Sequence, residues 1–341
     1  MTRRLRVFLS HTAEQLPDAF AATALDALQD CADVVFNRSG VVLAGRDLAE
    51  AAADCQAIIA HRATPGLAET FAAAPDLVAF LRAAVDVSTI DLAAASAQGV
   101  LVTRVSPGFN DAVAELGLGM MIDLARGVSR AATIYRAGGV PRAMGGVQLK
   151  GAALGIAGYG RIARRLAEIA TGLGMKVLAC DPHAAIADAG VEAVPFATML
   201  ARSDFIVCLA ASTPETAGLF GAHAFQAMKR GAIFINLSRG ELVDEAALEA
   251  ALDRGHLRGA GLDVGSAPDQ MPSPRLACRT DVVATPHIGG TTREARAHQA
   301  MHTVKQVSAL GEARLPEGAI NPAAAYRLGR LKPATSEGEH P

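Results

Sequence analysis

The chain has 341 residues, of which 51% are hydrophobic and 19% are charged, and its formal net charge at pH 7 is −2. Its length is about twice that of a typical domain, which predicts two domains. The composition argues against a disordered chain and, because it is not basic, against a nucleic-acid-binding surface. Only 4% of the residues are aromatic and none is Trp, so a ligand would find few rings on which to stack.

The first residues include arginines, but the apolar run that follows them stops at His11, before the core of a signal peptide could form. We therefore expect a mature cytoplasmic N-terminus. Charged residues interrupt every apolar stretch before it reaches the roughly 20 residues that a membrane span needs, so no association with a membrane is expected. The five cysteines are scattered without a CxxC pair, which is typical of unpaired thiols in a reducing compartment.

Short aliphatic or β-branched runs alternate with Ala-rich helical stretches along the chain. In the first hundred residues the runs are 6–9, 34–36, 57–60, 77–80 and 100–103. A second series follows at 153–157, 176–180, 205–209, 232–236, 260–263 and 282–284. This alternation predicts an α/β protein with two doubly wound parallel sheets, one after the other in the sequence.

Two longer helices are predicted, at 110–136 and from 292 to about 310, from apolar residues at helical spacing. His298 and His302 lie four residues apart on the second of these helices and could mimic a metal-binding pair. Because no third ligand accompanies them, we expect a solvated helix face and no metal site. Residues 327–341 are expected to form a weakly ordered tail.

The strongest local signal is a glycine-rich segment that follows a predicted strand and opens a helix. It matches the pattern G-x-G-x-x-G/A with Gly158, Gly160 and Ala163. Gly158 would allow a tight turn, and Gly160 would let the backbone approach a pyrophosphate. The amides near Arg161 and Ile162 would then face the phosphates at a helix N-terminus. The segment therefore predicts a dinucleotide site.

Asp181 supports this prediction because it stands at the end of the next predicted strand. In dinucleotide sites the acid that binds the ribose follows the glycine-rich segment by about 20 residues, and Asp181 lies close to that distance from Gly158. A carboxylate there would accept hydrogen bonds from the ribose 2′-hydroxyl and repel a 2′-phosphate. The expected cofactor is therefore NAD rather than NADP. Because Pro182 follows, the alternative is an aspartate that caps a turn or helix.

Three further segments complete an ordered series: 228–240, which contains Arg239, 261–264, which contains Asp263, and 285–290, which contains His287. Together with the glycine-rich segment they closely resemble the D-isomer-specific 2-hydroxyacid dehydrogenases. This family includes phosphoglycerate dehydrogenases, glyoxylate/hydroxypyruvate reductases and formate dehydrogenases. The resemblance extends from about residue 75 to residue 290.

The resemblance implies that an NAD-binding Rossmann domain, residues 105–291, is inserted into a flavodoxin-like substrate domain formed by residues 1–104 and 292–326. The substrate, a small 2-oxo or 2-hydroxy acid, would lie in a cleft between the two domains. Members of the family are usually homodimers that associate through the NAD-binding domain, and the same assembly is expected here.

The resemblance also assigns roles to individual side chains. Hydride transfer at C2 of a 2-hydroxy acid needs a cation to hold the carboxylate and an acid/base for the hydroxyl proton. Arg239 matches the family's substrate-binding arginine, and His287 matches its acid/base. Asp263 would reach the nicotinamide carboxamide, with a helix cap or hinge as the alternative. Thr213 and Pro214 would form a cofactor loop.

One departure from the family pattern concerns the partner of the histidine. The family's glutamate, five residues after Asp263, is replaced by Pro268. Asp269 would keep a negative charge beside His287, whereas Gln270 would orient the ring without one, as formate dehydrogenases do with a glutamine. We expect the catalytic partner to be Asp269, so that Asp269→Asn would shift the limb of the pH-rate profile that the histidine controls.

A second departure lies in the expected substrate-binding loop, where the family's Gly-Val-Gly turn is replaced by Ala84-Val85-Asp86. Val85 and Asp86 are the expected substrate-binding residues of this loop. Asp86 brings a negative charge near an anionic substrate, so it either points away or hydrogen-bonds an additional group of the substrate. Leu209 and Ala211 likewise stand where a His and a Pro often flank the cofactor.

The expected function is therefore NAD-dependent reduction of a small 2-oxo acid, or the reverse oxidation. Phosphoglycerate oxidation and glyoxylate or hydroxypyruvate reduction remain open as specific reactions. The alternative is a non-enzymatic NAD(H)-binding interaction protein that resembles the C-terminal-binding-protein corepressors. The missing glutamate and the altered loop favour this alternative, whereas the retained Arg239 and His287 argue against it.

Overall fold

The computed structural model describes residues 4–143 and 145–331. It divides the chain into two compact units, formed by the described parts of Met1–Gly108 with Arg293–Pro341 and of Phe109–Thr292. Each unit contains one parallel sheet whose two faces are covered by hydrophobic clusters. The predicted α/β class with two parallel sheets is thus confirmed.

The sheet of the first unit has five strands, β1 Leu5–Leu9, β2 Ala32–Phe36, β3 Ala57–Ala60, β4 Ala79–Arg82 and β5 Leu101–Arg104. Their order is β2-β1-β3-β4-β5, the flavodoxin-like arrangement. The central strands β3 and β4 are buried along their whole length, as expected where helices cover both faces of a parallel sheet. These helices are α1 Leu16–Ala19, α2 Ala22–Cys31, α3 Gly45–Ala51, α4 Ala68–Ala73, α5 Leu92–Ala97 and α13 Arg293–Gly311.

The first part of the predicted tail is ordered against the first unit. It forms a 3-10 helix, Tyr326–Leu331, which follows another at Pro322–Ala324. Arg327 is buried and donates hydrogen bonds to the carbonyls of Ala74 at 2.8 Å and Leu77 at 2.9 Å. The prediction of a weakly ordered tail is therefore wrong for this helix, and the rest of the predicted tail lies outside the described residues.

The sheet of the second unit has seven strands, β6 Ala153–Ala157, β7 Lys176–Cys180, β8 Val191–Ala193, β9 Phe205–Cys208, β10 Ala232–Asn236, β11 Leu257–Leu262 and β12 Val282–Ala284. Their order is β12-β11-β10-β9-β6-β7-β8, which is the Rossmann order with one additional edge strand. The edge strand β8 is only three residues long and largely exposed, so no hydrophobic run in the sequence marked it.

The helices of the second unit are α6 Asn110–Arg126, α7 Val128–Arg136, α8 Arg161–Gly172, α9 Phe196–Arg202, α10 Ala222–Ala227, α11 Glu245–Asp253 and α12 Pro274–Ala277. The single helix predicted over 110–136 is divided at Gly127, which has a left-handed backbone with φ 68°. Short 3-10 helices lie at Gly240–Leu242 and Pro268–Gln270. Within the ranges that the structure describes, no helix has both the length and the hydrophobicity needed to cross a membrane.

Candidate active site

The glycine-rich turn lies between β6 and α8, where β7 and β9 flank β6 on opposite sides. Open α/β sheets bind ligands at such a switch point. Gly158 has φ 86°, and a Cβ there would overlap the backbone of Ala210, so only glycine fits. Gly160 differs, because a Cβ built on it meets no described atom within 4 Å. The backbone at Gly160 is therefore open to a ligand.

The N-terminus of α8 completes this turn. Gly160 is the N-cap, and it offers no side chain to the first amides of the 12-residue helix. Arg161 and Ile162 occupy the first helical positions, where N–H groups have no partner within the helix and the helix dipole is positive. These residues fit the pyrophosphate of a dinucleotide.

Asp181 lies directly after β7 and binds the glycine-rich turn. Its Oδ2 accepts a hydrogen bond from the Tyr159 N–H at 2.7 Å, and its Oδ1 accepts from the N–H groups of His183 at 2.8 Å and Ala184 at 3.1 Å. Partial burial raises the pKa of Asp181, but these three donors outweigh it and hold the pKa below the usual value. A charged carboxylate is thus fixed where a ribose is expected, and it caps a turn as well.

The predicted cofactor loop that contains Thr213 and Pro214 follows β9 and is exposed. The Thr213 N–H donates to the Thr216 hydroxyl oxygen at 2.9 Å, and that hydroxyl donates to the Ala211 carbonyl at 2.7 Å. These bonds close a turn. Ala210, which directly precedes this turn, packs against Gly158 of the glycine-rich turn. The loop therefore borders the predicted dinucleotide site.

Asp263 follows β11 and is buried, with 3% of its surface exposed. Its Oδ1 accepts hydrogen bonds from the Thr285 hydroxyl at 2.7 Å and the Ile288 N–H at 2.8 Å, and its Oδ2 accepts from the Gly289 N–H at 2.8 Å. Its carbonyl accepts from the His287 N–H at 3.0 Å. Asp263 thus anchors the loop that carries the histidine, as the hinge alternative expects, and its contact to a nicotinamide carboxamide stays a prediction.

Arg239 lies just after β10 in a loop that a buried asparagine organises. Asn236, the last residue of β10, donates from Nδ2 to the Arg239 carbonyl at 2.9 Å and accepts from the Ser238 N–H at 3.1 Å. The Arg239 guanidinium donates to the Ser238 carbonyl at 2.8 Å and is exposed. A planar guanidinium in this position can pair with a carboxylate through two parallel hydrogen bonds.

His287 lies in the loop after β12, half-buried and with φ 53°. Its Nδ1 is 2.9 Å from the main-chain carbonyl oxygen of Asp269. The structure brings Asp269 to the histidine, as the sequence predicts, and its main-chain carbonyl makes the hydrogen bond to Nδ1. The catalytic role of its carboxylate stays a prediction. Gln270, the other candidate partner, turns its side chain to Gly240 and Glu241.

In the first unit, Val85 and Asp86 lie in the loop after β4. The Asp86 carboxylate accepts hydrogen bonds from the Ser88 N–H and hydroxyl, both at 2.9 Å. The Asp86 carboxylate therefore caps its own loop, and its two alternative roles toward a substrate stay predictions.

Sequence reasoning missed a buried polar cluster at the carboxyl ends of β1, β3 and β4. His11 and His61 have ring centroids 5.0 Å apart, and Arg82 is fully buried, with Nη2 donating to the Thr89 hydroxyl at 2.9 Å. Burial, with smaller effects of the neighbouring charged groups, lowers the pKa of His11 to about 3 and that of His61 to about 4. The sequence signal that could have revealed this cluster is the presence of polar residues at or directly after the ends of hydrophobic strands.

The histidine pair of α13 differs from the expected solvated face. His298 is exposed, but His302 is only 6% exposed and accepts a hydrogen bond from the Ser106 N–H at 3.1 Å on Nδ1. The Ser106 hydroxyl lies 2.9 Å from Nε2 of His298. The expectation is therefore wrong for His302, which is a packed residue. In the described part of the chain, no group of three His, Cys, Asp or Glu side chains could hold a metal ion.

Comparisons with known proteins agree with this geometry. Residues 118–289 match the family model described as "D-isomer specific 2-hydroxyacid dehydrogenase, NAD binding domain". The chain belongs to this family. The matched segment contains both the glycine-rich turn and the loops of Arg239 and His287.

Three similar proteins illustrate the range of the family. D-3-phosphoglycerate dehydrogenase of Mycobacterium leprae is 38% identical over 73% of this chain and 48% of its own length. Glyoxylate reductase of Korarchaeum cryptofilum is 33% identical over 79% of this chain and 83% of its own length. A crystal structure from Polaromonas sp., described as "putative D-isomer specific 2-hydroxyacid dehydrogenase, NAD-binding", has a TM-score of 0.83 and 27% identity over 93% of this chain and 99% of that one. The chain thus spans about half the length of the mycobacterial relative.

Proposed function

We propose that the chain catalyses the NAD-dependent interconversion of a small 2-oxo acid and the corresponding D-2-hydroxy acid. The observation that carries this proposal is the placement of Arg239 and His287 after β10 and β12, on either side of the buried Asp263 that follows β11. Reduction of a carbonyl beside a carboxylate needs a cation and a proton donor, and these two side chains are such a pair. Membership of the family supports the same reaction.

Bound NAD(H) supplies or accepts the hydride. In the proposed complex, the open backbone at Gly160 and the amides of Arg161 and Ile162 bind the phosphates. Asp181 binds the ribose hydroxyls, and its negative charge disfavours the 2′-phosphate of NADP. The loop of Thr213 borders the same site.

On the substrate side, Arg239 binds the carboxylate and stabilises the charge that develops on the carbonyl oxygen. His287 donates a proton to that oxygen during reduction and accepts it during oxidation, because an imidazole can act as both an acid and a base. The loop of Val85 in the first unit contributes to substrate binding, while Asp86 caps that loop.

The non-enzymatic alternative, an NAD(H)-binding protein of corepressor type, receives less support. The relatives named above are dehydrogenases and a reductase. The names of these relatives refer to two different substrates, phosphoglycerate and glyoxylate, and the panel of acids below distinguishes them.

We also propose a homodimer that forms through the second unit. An apolar surface supports it, since several large hydrophobic side chains on and after α6 and α7 are exposed. They are Ile122 (42% exposed), Val128 (55%), Tyr135 (63%) and Val140 (85%). A cytoplasmic location is proposed because all five cysteines, which lie within the described ranges, are unpaired.

The proposed function is tested by following oxidation of NADH and of NADPH with glyoxylate, hydroxypyruvate, pyruvate and 3-phosphohydroxypyruvate. We expect turnover with at least one of these acids and a preference for NADH. Equal or better use of NADPH would contradict the role of Asp181. Tight NADH binding without turnover of any acid would support the non-enzymatic alternative.

A further inference from the structure

The 3-10 helix Pro268–Gln270 contacts both loops that carry the proposed catalytic groups. It has an unusual backbone, because Asp269 has φ 57° and Gln270 has φ 60°. Two successive non-glycine residues in the left-handed region are rare, and such a conformation persists only where the surrounding contacts over-determine it. The contacts that hold this helix are therefore informative about its role.

The first contact is to the histidine. A carbonyl oxygen can only accept a hydrogen bond, so Nδ1 of His287 must donate its proton to the Asp269 carbonyl at 2.9 Å. The tautomer follows from this contact, and it leaves Nε2 as the nitrogen that exchanges a proton with a substrate. In the family pattern a glutamate side chain orients the histidine, but this sequence has Pro268 at that position. A main-chain carbonyl provides the orientation here instead.

The second contact is to the arginine loop. Gln270 Oε1 accepts a hydrogen bond from the Gly240 N–H at 3.2 Å, and Gln270 Nε2 donates to Glu241 Oε1 at 2.7 Å. The hydrogen bond from Gln270 lowers the pKa of Glu241. Gly240 itself packs so closely on the Gly265 carbonyl that a Cβ would clash with it. The residue that follows Arg239 is thereby fixed from two directions.

The helix is also tied to the sheet. The Gln270 carbonyl accepts a hydrogen bond from the Gly265 N–H at 2.8 Å, just beyond Asp263. Asp269 therefore hydrogen-bonds the histidine loop, and Gln270 hydrogen-bonds both the arginine loop and the segment after β11.

We propose that Pro268–Gln270 is a positioning element in which the Asp269 carbonyl sets the tautomer of His287 and the Gln270 side chain holds the loop of Arg239. The inference rests on the proposed function. It assigns Gln270 a part in substrate binding and assigns the hydrogen bond from Nδ1 of His287 to a backbone carbonyl.

The Gln270 half of the proposal is tested by steady-state kinetics with the panel acid that has the highest kcat/KM. Gln270→Ala removes both side-chain hydrogen bonds, and we expect KM for the acid to rise about tenfold, with a smaller change in kcat and less than about a twofold change in the Kd of NADH. Gln226→Ala, on the exposed surface of α10, is the matched control and leaves KM unchanged. An unchanged KM in Gln270→Ala would overturn this half.

A rescue variant separates this role from a general loss of structure. Gln270→Glu places a carboxylate opposite Glu241, so KM should rise at least as far as in Gln270→Ala. Adding Glu241→Gln exchanges donor and acceptor: the carboxylate at position 270 can then accept from both the Gly240 N–H and the amide at position 241. We expect the double variant to return KM to within about threefold of wild type. A double variant no better than Gln270→Glu would contradict the proposal.

The Asp269 half is tested by the order of kcat among three variants. Asp269→Asn and Asp269→Gly keep the carbonyl in place, because asparagine and glycine tolerate positive φ, whereas the β-branched Asp269→Val does not. We expect kcat to fall less than about threefold in the first two and about tenfold or more in the third. A tenfold loss in Asp269→Asn would assign the role to the carboxylate instead. Turnover retained by His287→Asn would refute the proposed function itself, independently of these results.

Discussion

Two halves of the second unit's sheet each place an aspartate directly after a strand, and the two aspartates differ in exposure. Asp181, after β7, is half-buried and accepts three backbone hydrogen bonds from the glycine-rich turn and from the loop that it begins. Asp263, after β11, is buried and accepts hydrogen bonds from the loop of His287. Both carboxylates organise a loop, but only Asp181 keeps exposed surface for a ligand. We therefore expect Asp181 to bind the cofactor as well as anchor a loop, and Asp263 to act by positioning the loop of His287.

The largest effect that would test this comparison is expected at Asp263. Asp263→Asn turns one acceptor into a donor that faces buried donors, and each unsatisfied buried group costs about 1–3 kcal/mol. We expect kcat to fall about 100-fold because the loop of His287 shifts, while the Kd of NADH changes less than about threefold. Stopped-flow turnover and fluorescence titration with NADH measure the two quantities. A large rise in Kd with kcat preserved would instead place Asp263 against the nicotinamide.

A smaller and opposite pattern is expected at Asp181. Asp181→Ser removes the charge beside the glycine-rich turn, so the Kd of NADH should rise about tenfold while kcat at saturating NADH changes little. The Kd of NADPH should rise less, or fall, because the repulsion of a 2′-phosphate is removed. If the ratio of the two Kd values does not move, Asp181 is a turn anchor alone and the contrast with Asp263 disappears.

The smallest effect concerns the first unit, where the carboxyl edge of the sheet buries His11 and His61. Both have pKa values below the ordinary 6.5. Below about pH 6.5 the unfolded chain binds protons that the folded chain does not, so stability falls as the pH decreases toward 4. We expect the Tm to drop by a few degrees between pH 7 and pH 5, and by less in His11→Phe. Parallel Tm curves for the two proteins would show that His11 does not contribute.

The sequence predicted the parts of the site that depend on local chemistry. Gly158 and Asp181 could be placed because a left-handed turn after a strand and an acid at the next strand end are recognisable within a short window. The break at Gly127 was not predicted, because the helical spacing of apolar residues continues across it. The strand β8 was not predicted either, because it is too short to show an alternating pattern.

Contacts between distant segments were harder to predict. The partner of His287 is a main-chain carbonyl, which any residue at position 269 could offer, so its identity leaves no trace in the sequence. The bond from Gln270 to Glu241 joins residues far apart in the chain and exists only because β10 and β11 are adjacent. The burial of Arg327 could not be predicted either, because the carbonyls that accept its hydrogen bonds belong to Ala74 and Leu77, which are distant from it in the sequence.

The most direct test of the central claim is the transfer of deuterium to the preferred 2-oxo acid from NADH that carries deuterium at both positions on C4 of the nicotinamide. We predict a D-2-hydroxy acid that carries deuterium at C2, with formation lost about 1,000-fold or more in His287→Asn and in Arg239→Met. Mass spectrometry locates the label, and chiral chromatography determines the configuration. A product without deuterium at C2, an L product, or full activity in either variant would contradict the proposed roles.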